Sequence, residues 1–340
     1  MIPGTHSAGR SAERVRNCLP VLLAGVLTAC GGGGSGPTPL PSPSTAPGHT
    51  MSVTVFYDRN GNGIKDPQDH AVPDVDVVIG GRTGRSAVGS GTATVANVPA
   101  GSHTVTLRTE TIPPFFAAGT LPSVQVPGDG RPVSVGLTLP IGRNRPDVYV
   151  AFGDSITRGD GAAPSQSYPS RLQSRLIAHF GDAYVNNRGG DGTNTFEALE
   201  RFRRNVPANE PAYTLIIYGT NDWHDPVCQL NTPQCHTVPN LRTLVRLTKA
   251  EGSLPFVATI IPVNPLLNGQ GRNDWIDSTN VQIKAMAAAE GAFLVDLNQA
   301  FKNQPSLPAL FDDHVHPNAA GYDFIAQSFF EAIAHGRSVP

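Results

Sequence analysis

From about residue 147 to residue 335 the chain alternates between two rhythms, and this alternation limits its possible folds more than any other feature. The runs "DVYVAF", "YVNN", "YTLIIYG", "PFVATII" and "FLVDL" are short and mostly apolar. Between and after them lie longer stretches with helical spacing: 167–180, 195–205, 238–250, 274–289 and 318–334. Strands that alternate with helices predict an α/β layer built on a parallel sheet covered on both faces. In such sheets ligands gather beyond the carboxyl ends of the strands, so the residues following each strand become the candidates for chemistry.

Those residues are polar or glycine-rich. Gly153-Asp154-Ser155 follows the first strand, 187–192 ("NRGGDG") the second, and Gly219-Thr220-Asn221-Asp222 the third. Asp313-His314-Val315-His316-Pro317 stands ahead of the last helix. A serine hydroxyl is a weak nucleophile at neutral pH and needs a neighbouring base. His316 fits that role, and Asp313, three residues earlier, is spaced to hold the other imidazole nitrogen. His314 is the less suited rival. The residue two after Ser155 is Thr157, not glycine, which argues against a G-x-S-x-G elbow.

"GDSI", the glycine of "NRGGDGTNT", "GTND" and "DHVHP" occur in the order found in the SGNH (GDSL) hydrolases, and residues 147–335 resemble that family. The resemblance implies a three-layer α/β/α sandwich around a five-stranded parallel sheet, and a serine ester hydrolase. It assigns Ser155, Asp313 and His316 as the catalytic triad. It assigns the backbone N–H of Ser155, the backbone N–H of Gly192 and the side-chain amide of Asn221 as the oxyanion hole. No cofactor is implied for catalysis. Asn194 stands where the family often has threonine, and the Gly189-Gly190 run predicts a looser loop. Asp154 is expected to bond the turn backbone rather than move protons. Asp222, His224 and Asp225 read as pocket wall or solvated turn, and Trp223 and Trp275 as either pocket lining or core.

Residues 51–141 have a different pattern. "MSVTVFY", "DVDVVIG", "GTATVANV", "SHTVTLR" and "PVSVGLTL" are short, alternating and rich in Val and Thr, which predicts a small N-terminal antiparallel β-sandwich. Within it, Asp58, Asn60, Asn62, Ile64, Asp66 and Asp69 occupy positions one, three, five, seven, nine and twelve of a loop with Gly63 at six. That is the ligand spacing of a calcium loop, although an Asn-Gly hairpin turn has similar composition. The segment resembles the B-type repeats of bacterial surface proteins, which implies a spacer module carrying structural calcium.

The N-terminus reads as an export signal. Arg10, Arg14 and Arg16 precede the apolar run 19–27, which is shorter than the ~20 residues a spanning helix needs. "LTAC", ending at Cys30, resembles a bacterial lipobox, which implies lipidation of Cys30 and a membrane anchor. Gly31 after it leans toward the outer membrane or cell surface. The expected organisation is therefore a signal over 1–29 and a Gly/Pro/Ser-rich tether over 30–50. The sandwich over 51–141 and the catalytic domain over 146–340 follow. Cys18 falls in the signal, so Cys228 and Cys235 remain to pair as a disulfide in an exported chain. Net charge is −2 with no basic stripe, which excludes a nucleic-acid partner. The mostly polar segments 223–237 and 264–274 favour short acyl groups on a polar carrier such as acetylated carbohydrate. A carbohydrate-binding or adhesion protein on a hydrolase scaffold is the non-catalytic alternative.

Overall fold

The computed structural model describes residues 48–337 apart from 132 and 231–233. The expected signal, Cys30 and most of the tether lie outside the described residues. The N-terminal region forms β1 (His49–Tyr57), β2 (Asp76–Ile79), β3 (Arg82–Arg85), β4 (Thr92–Val98), β5 (Gly101–Thr104), β6 (Thr106–Leu107), β7 (Ala117–Ala118), β8 (Ser123–Val126) and β9 (Val133–Thr138). They build three small sheets, ordered β4-β1-β9-β7, β3-β2-β6 and β5-β8. Val53, Val55, Val77, Ile79, Ala93, Val95, Val135 and Leu137 are buried together, while the alternate residues Val78, Thr94 and Gly136 are less buried; in the central strand β1, Thr54 and Phe56 are buried as well. Pairing is antiparallel throughout these sheets except between β1 and β9, which run parallel from Val53↔Val133 to Tyr57↔Leu137. A parallel neighbour needs a long crossover, and the chain between them, carrying β2 to β8, supplies it.

The second region contains β10 (Arg145–Gly153), α1 (Ser155–Arg158), α2 (Tyr168–Phe180), β11 (Tyr184–Gly189), α3 (Thr195–Asn205), β12 (Pro211–Ile217), α4 (Pro226–Gln229), α5 (Thr237–Ala250), β13 (Leu254–Ala258), α6 (Gln270–Glu290), β14 (Phe293–Val295), α7 (Leu297–Lys302) and α8 (Ala319–His335). The five strands form one sheet in the order β11-β10-β12-β13-β14, every pair parallel. A strand covered on both faces needs no polar alternation, and 148–152 of β10 and all of β12 are buried accordingly. Tyr149, Ala151, Leu215, Ile217 and Phe256 face one layer, with Leu172 and Leu176 of α2 and Ile325 and Phe329 of α8. Val150, Phe152, Ile216 and Val257 face the other, with Phe202 of α3, Leu244 of α5 and Ile276 of α6. This is the expected α/β/α sandwich.

The N-terminal sheets share the first of these cores. Phe115 meets Phe256 edge-on at 5.7 Å, and Tyr57, Phe116, Tyr149 and Tyr213 line a cavity at the junction. The connecting segment is tied down as well, because Asn144 Nδ2 donates to the carbonyls of Pro211 and Glu251. Cys228 and Cys235 form a disulfide that links α4 to the start of α5.

Candidate active site

The register of the sheet brings the loops together. Gly153 pairs with Gly189 on one side and Ile217 on the other, so three adjacent strands end level with one another. A Cβ at Gly153 would meet Thr157 Oγ1 at 2.0 Å and the Ile217 carbonyl at 2.5 Å, so only glycine allows the turn to fold so closely against the strand ends. Asp154 then caps α1, with its Oδ1 accepting the Ile156 N–H at 2.9 Å. Ser155 is therefore the first helical residue, whose N–H has no acceptor within its own helix.

His316 reaches Ser155 from the turn ahead of α8. Its Nε2 lies 3.0 Å from Ser155 Oγ, and its Nδ1 lies 2.8 Å from Asp313 Oδ2. The other Asp313 oxygen accepts the N–H groups of Val315 and His316, each at 2.7 Å. Partial burial alone would raise the Asp313 pKa. The hydrogen bonds from the His316 N–H, the His316 ring and Val315 outweigh it and hold the carboxyl at about 2. An ionised Asp313 accepts from Nδ1–H, which leaves the Nε2 lone pair toward the serine hydroxyl. His314 is exposed, and its ring approaches Asp313 Oδ1 only to 3.8 Å. The loop after β13 holds this turn, because Asn264 N and Asn268 Nδ2 both donate to the His314 carbonyl.

The other two expected oxyanion donors, Gly192 and Asn221, lie on the loops after β11 and β12. Gly192 has φ 64°, a conformation that favours glycine, and a Cβ there would meet nothing. Asn221 Nδ2 donates to the Thr193 carbonyl at 3.0 Å. That bond fixes which end of the amide is NH2 and leaves its second proton for another acceptor. The Gly189-Gly190 run is not loose as expected. Gly189 is a paired strand residue, and Gly190 N donates to the Gly153 carbonyl at 2.9 Å. Asn194 caps α3 in a reciprocal box with Glu197, which accounts for an amide at this position.

Several supporting residues escaped the sequence. Asp222 is fully buried, not part of a solvated turn. It accepts from Thr195 N at 3.1 Å, Thr195 Oγ1 at 2.5 Å and Thr237 Oγ1 at 3.0 Å. His236 Nε2 lies 3.0 Å from it but off the line of a hydrogen bond. Burial raises the Asp222 pKa, while the Thr195 bonds and His236 pull it down. Asp222 therefore ties the Asn221 loop to α3 and α5. Arg201 of α3 lies under the strand ends, donating to the carbonyls of Gly153 and Arg188 and to the Tyr218 hydroxyl. Arg272, buried in α6, donates to the Thr220 carbonyl. No short motif announces such long-range bonds to backbone carbonyls. Asp225 caps α4, and His224 is exposed. Trp275 belongs to the core and Trp223 packs partly against it at 5.7 Å.

The loop 58–69 is curled by its own side chains. Asp58 accepts from the N–H groups of Gly61, Asn62 and Gly63, and Asp69 from those of Arg59 and Asp66. Asn60 and Asn62 both donate their amides to Asp66 Oδ2. Three carboxylates and two amides thus line one loop, with Asp58 and Asp69 buried, but the three carboxylates are not gathered around a common point. This oxygen-rich, anionic donor set fits a hard cation.

An uncharacterized lipoprotein, YqeF, of Bacillus subtilis (strain 168) is 31% identical over 157 residues, covering 44% of this chain. The chain spans 62% of that relative's length. Among solved structures, a lipase/acylhydrolase from Enterococcus faecalis superposes with a TM-score of 0.48 at 22% identity, covering 57% of this chain and 98% of that one. Axe2, an acetylxylan esterase from Geobacillus stearothermophilus, superposes with a TM-score of 0.46 at 24% identity, covering 57% and 96%. Residues 151–324, more than half of the chain and including Ser155, Asp313 and His316, match the GDSL-like lipase/acylhydrolase family model, and the chain belongs to that family.

Proposed function

We propose that the protein is a serine ester hydrolase that cleaves short-chain acyl or acetyl esters, carried on polar molecules such as acetylated carbohydrates. The contact that supports this most strongly is the relay from Ser155 Oγ to His316 Nε2 at 3.0 Å and from His316 Nδ1 to Asp313 at 2.8 Å. In this scheme the Ser155 hydroxyl gives its proton to Nε2 as Oγ attacks the ester carbonyl carbon. The carbonyl oxygen becomes an oxyanion facing the N–H groups of Ser155, Gly192 and Asn221. As the C–O bond to the alcohol breaks, His316 returns the proton to the leaving oxygen. Water then loses a proton to Nε2 and attacks the acyl–Ser155 ester, releasing the acid and restoring the hydroxyl.

Leu266 and Leu267 next to the His314 loop are exposed at 77% and 62%, which leaves them a poor groove for a long chain. Nitrophenyl esters of rising acyl length test the size preference. Turnover is expected to be highest for acetyl to butyryl groups and to fall about tenfold or more by octanoyl. A one-methylene mismatch carries about 1–3 kcal/mol of discrimination. A preference for long acyl groups, or no turnover of any ester, overturns the assignment.

The N-terminal β region is proposed as a calcium-stabilised spacer, with Asp58, Asn60, Asn62, Ile64, Asp66 and Asp69 supplying the ligands. When bound, calcium would offset the mutual repulsion of the loop carboxylates, with no part in acyl transfer. Chelation is expected to lower the melting temperature by about 3–5 °C and calcium to restore it, on the scale of about 2 °C per kcal/mol for a chain this size. An unchanged melt refutes the site. Lipidation at Cys30, with anchoring at the outer membrane or cell surface, is proposed from the lipobox-like sequence, and the name of the B. subtilis relative agrees with it. The Cys30→Ser protein should move to the soluble fraction, and continued sedimentation with membranes would refute the anchor.

A further inference from the structure

A second cluster of metal-ligating side chains lies at the junction of the β region and the α/β region, away from the triad. Asp74 comes from the loop before β2, His179 from the end of α2 and His335 from the last position of α8. Asp74 Oδ2 lies 3.3 Å from His335 Nε2 and 3.9 Å from His179 Nδ1. Tetrahedral zinc with bonds of about 2.0–2.1 Å holds its donors roughly 3.3 Å apart. The Asp74–His335 pair already has that spacing, the Asp74–His179 pair needs to close by about half an ångström, and the two imidazole nitrogens lie within 4.8 Å of each other. We propose that Asp74, His179 and His335 bind a zinc-class transition metal ion that clasps the β region to α2 and α8, with a water in the fourth position.

The surroundings suit such a site. His335 Nδ1 is bonded to Glu331 Oε2 at 2.9 Å, so Nε2 is the ring nitrogen presented to Asp74. A carboxylate behind a ligating imidazole orients the ring and raises its basicity. Arg85 Nε takes Asp74 Oδ1 at 3.0 Å, which leaves Oδ2 toward the two histidines. His179 is only 7% exposed and edge-on to Phe180 and Phe330. An ion pair would explain Asp74 and His335, but not a second, buried imidazole turned to the same carboxylate. Two imidazoles and one carboxylate favour zinc over calcium or magnesium. The site is remote from catalysis. Helix α8 begins three residues after His316 and ends at His335, and its 17 residues span about 25 Å.

A further cluster among the described residues, Asp222 with Cys228 and His236, has its sulfur committed to the disulfide under oxidising conditions. The experiment therefore uses the full chain without reductant, calcium present throughout, dialysed against zinc chloride and then against metal-free buffer. Wild type should retain one zinc per chain, and its melting temperature should rise by about 3–5 °C with zinc in excess. His335→Gln should lose both effects. Asp74→Asn, at a partly exposed loop position, provides a second variant should the helix substitution impair folding, and it too should lose the retained zinc. Failure of wild type to retain zinc overturns the proposal, as does equal retention in a folded Asp74→Asn or His335→Gln protein.

Discussion

Ser155→Ala should lower kcat on nitrophenyl acetate by roughly 10⁴- to 10⁶-fold, equivalent to about 5–8 kcal/mol of barrier, while leaving the melting temperature within about 2 °C of wild type. The two outcomes separate because Ser155 Oγ has His316 Nε2 as its hydrogen-bond partner and carries little of the fold. The cap that shapes the turn comes from Asp154, and the close approach to the neighbouring strands from Gly153. Activated small esters raise one complication, since a bare imidazole attacks them directly. His316→Gln should therefore lose activity on a similar scale, and Ser155→Ala with His316→Gln should be little worse than either alone, as expected of groups that act as a unit. A Ser155→Ala protein that keeps more than a tenth of wild-type turnover would remove the acyl-enzyme from the mechanism.

The candidate triad was legible in the sequence because its parts are local. In "GDSI" the cap and the hydroxyl are adjacent. In "DHVHP" the carboxylate and imidazole are three residues apart and meet within one turn, closed by the Phe311–Pro317 bridge. "GTND" follows a strand whose seven residues are all buried. The long helices were legible for the same reason: the stretch 195–205 carries its own capping box and apolar stripe. The failures share a physical cause as well. Helices α1, α4 and α7 are too short to show a period and exist because Asp154, Asp225 and Asp296 cap them. The parallel β1–β9 pair and the reach of Arg201 to two carbonyls and the Tyr218 hydroxyl depend on segments far apart in the chain. The solvated-turn reading of Asp222 failed because a polar residue in a strand-end loop is usually wet, and here Thr195 and Thr237 replace the water. The Asp74–His179–His335 cluster joins residues up to 261 positions apart, with no motif to mark it.

Asp154 is where the fold itself should respond to pH. It is fully buried, and its Oδ2 has no hydrogen-bond partner among the described residues. Burial pushes its pKa up to about 7, against the Ile156 N–H and the nearby His316, which lower it. An unfolded aspartate titrates near 3.9. Between these values the folded chain keeps a proton that the unfolded chain has released, so stability falls as pH rises from about 4 to about 7 and levels off above. The gap of about three pH units amounts to on the order of 4 kcal/mol when fully expressed. Asp154→Asn keeps an acceptor for Ile156 N–H and cannot ionise, so it should escape this loss. Its melting temperature relative to wild type should be lowest near pH 4.5 and climb by roughly 5–10 °C by pH 8. Melting curves of the two proteins across that range decide the matter, since only a titrating Asp154 makes their difference grow with pH. A constant difference would mean that the buried carboxyl ionises as freely in the folded chain as in water. The serine turn would then have to be held by an anion, not by a neutral cap.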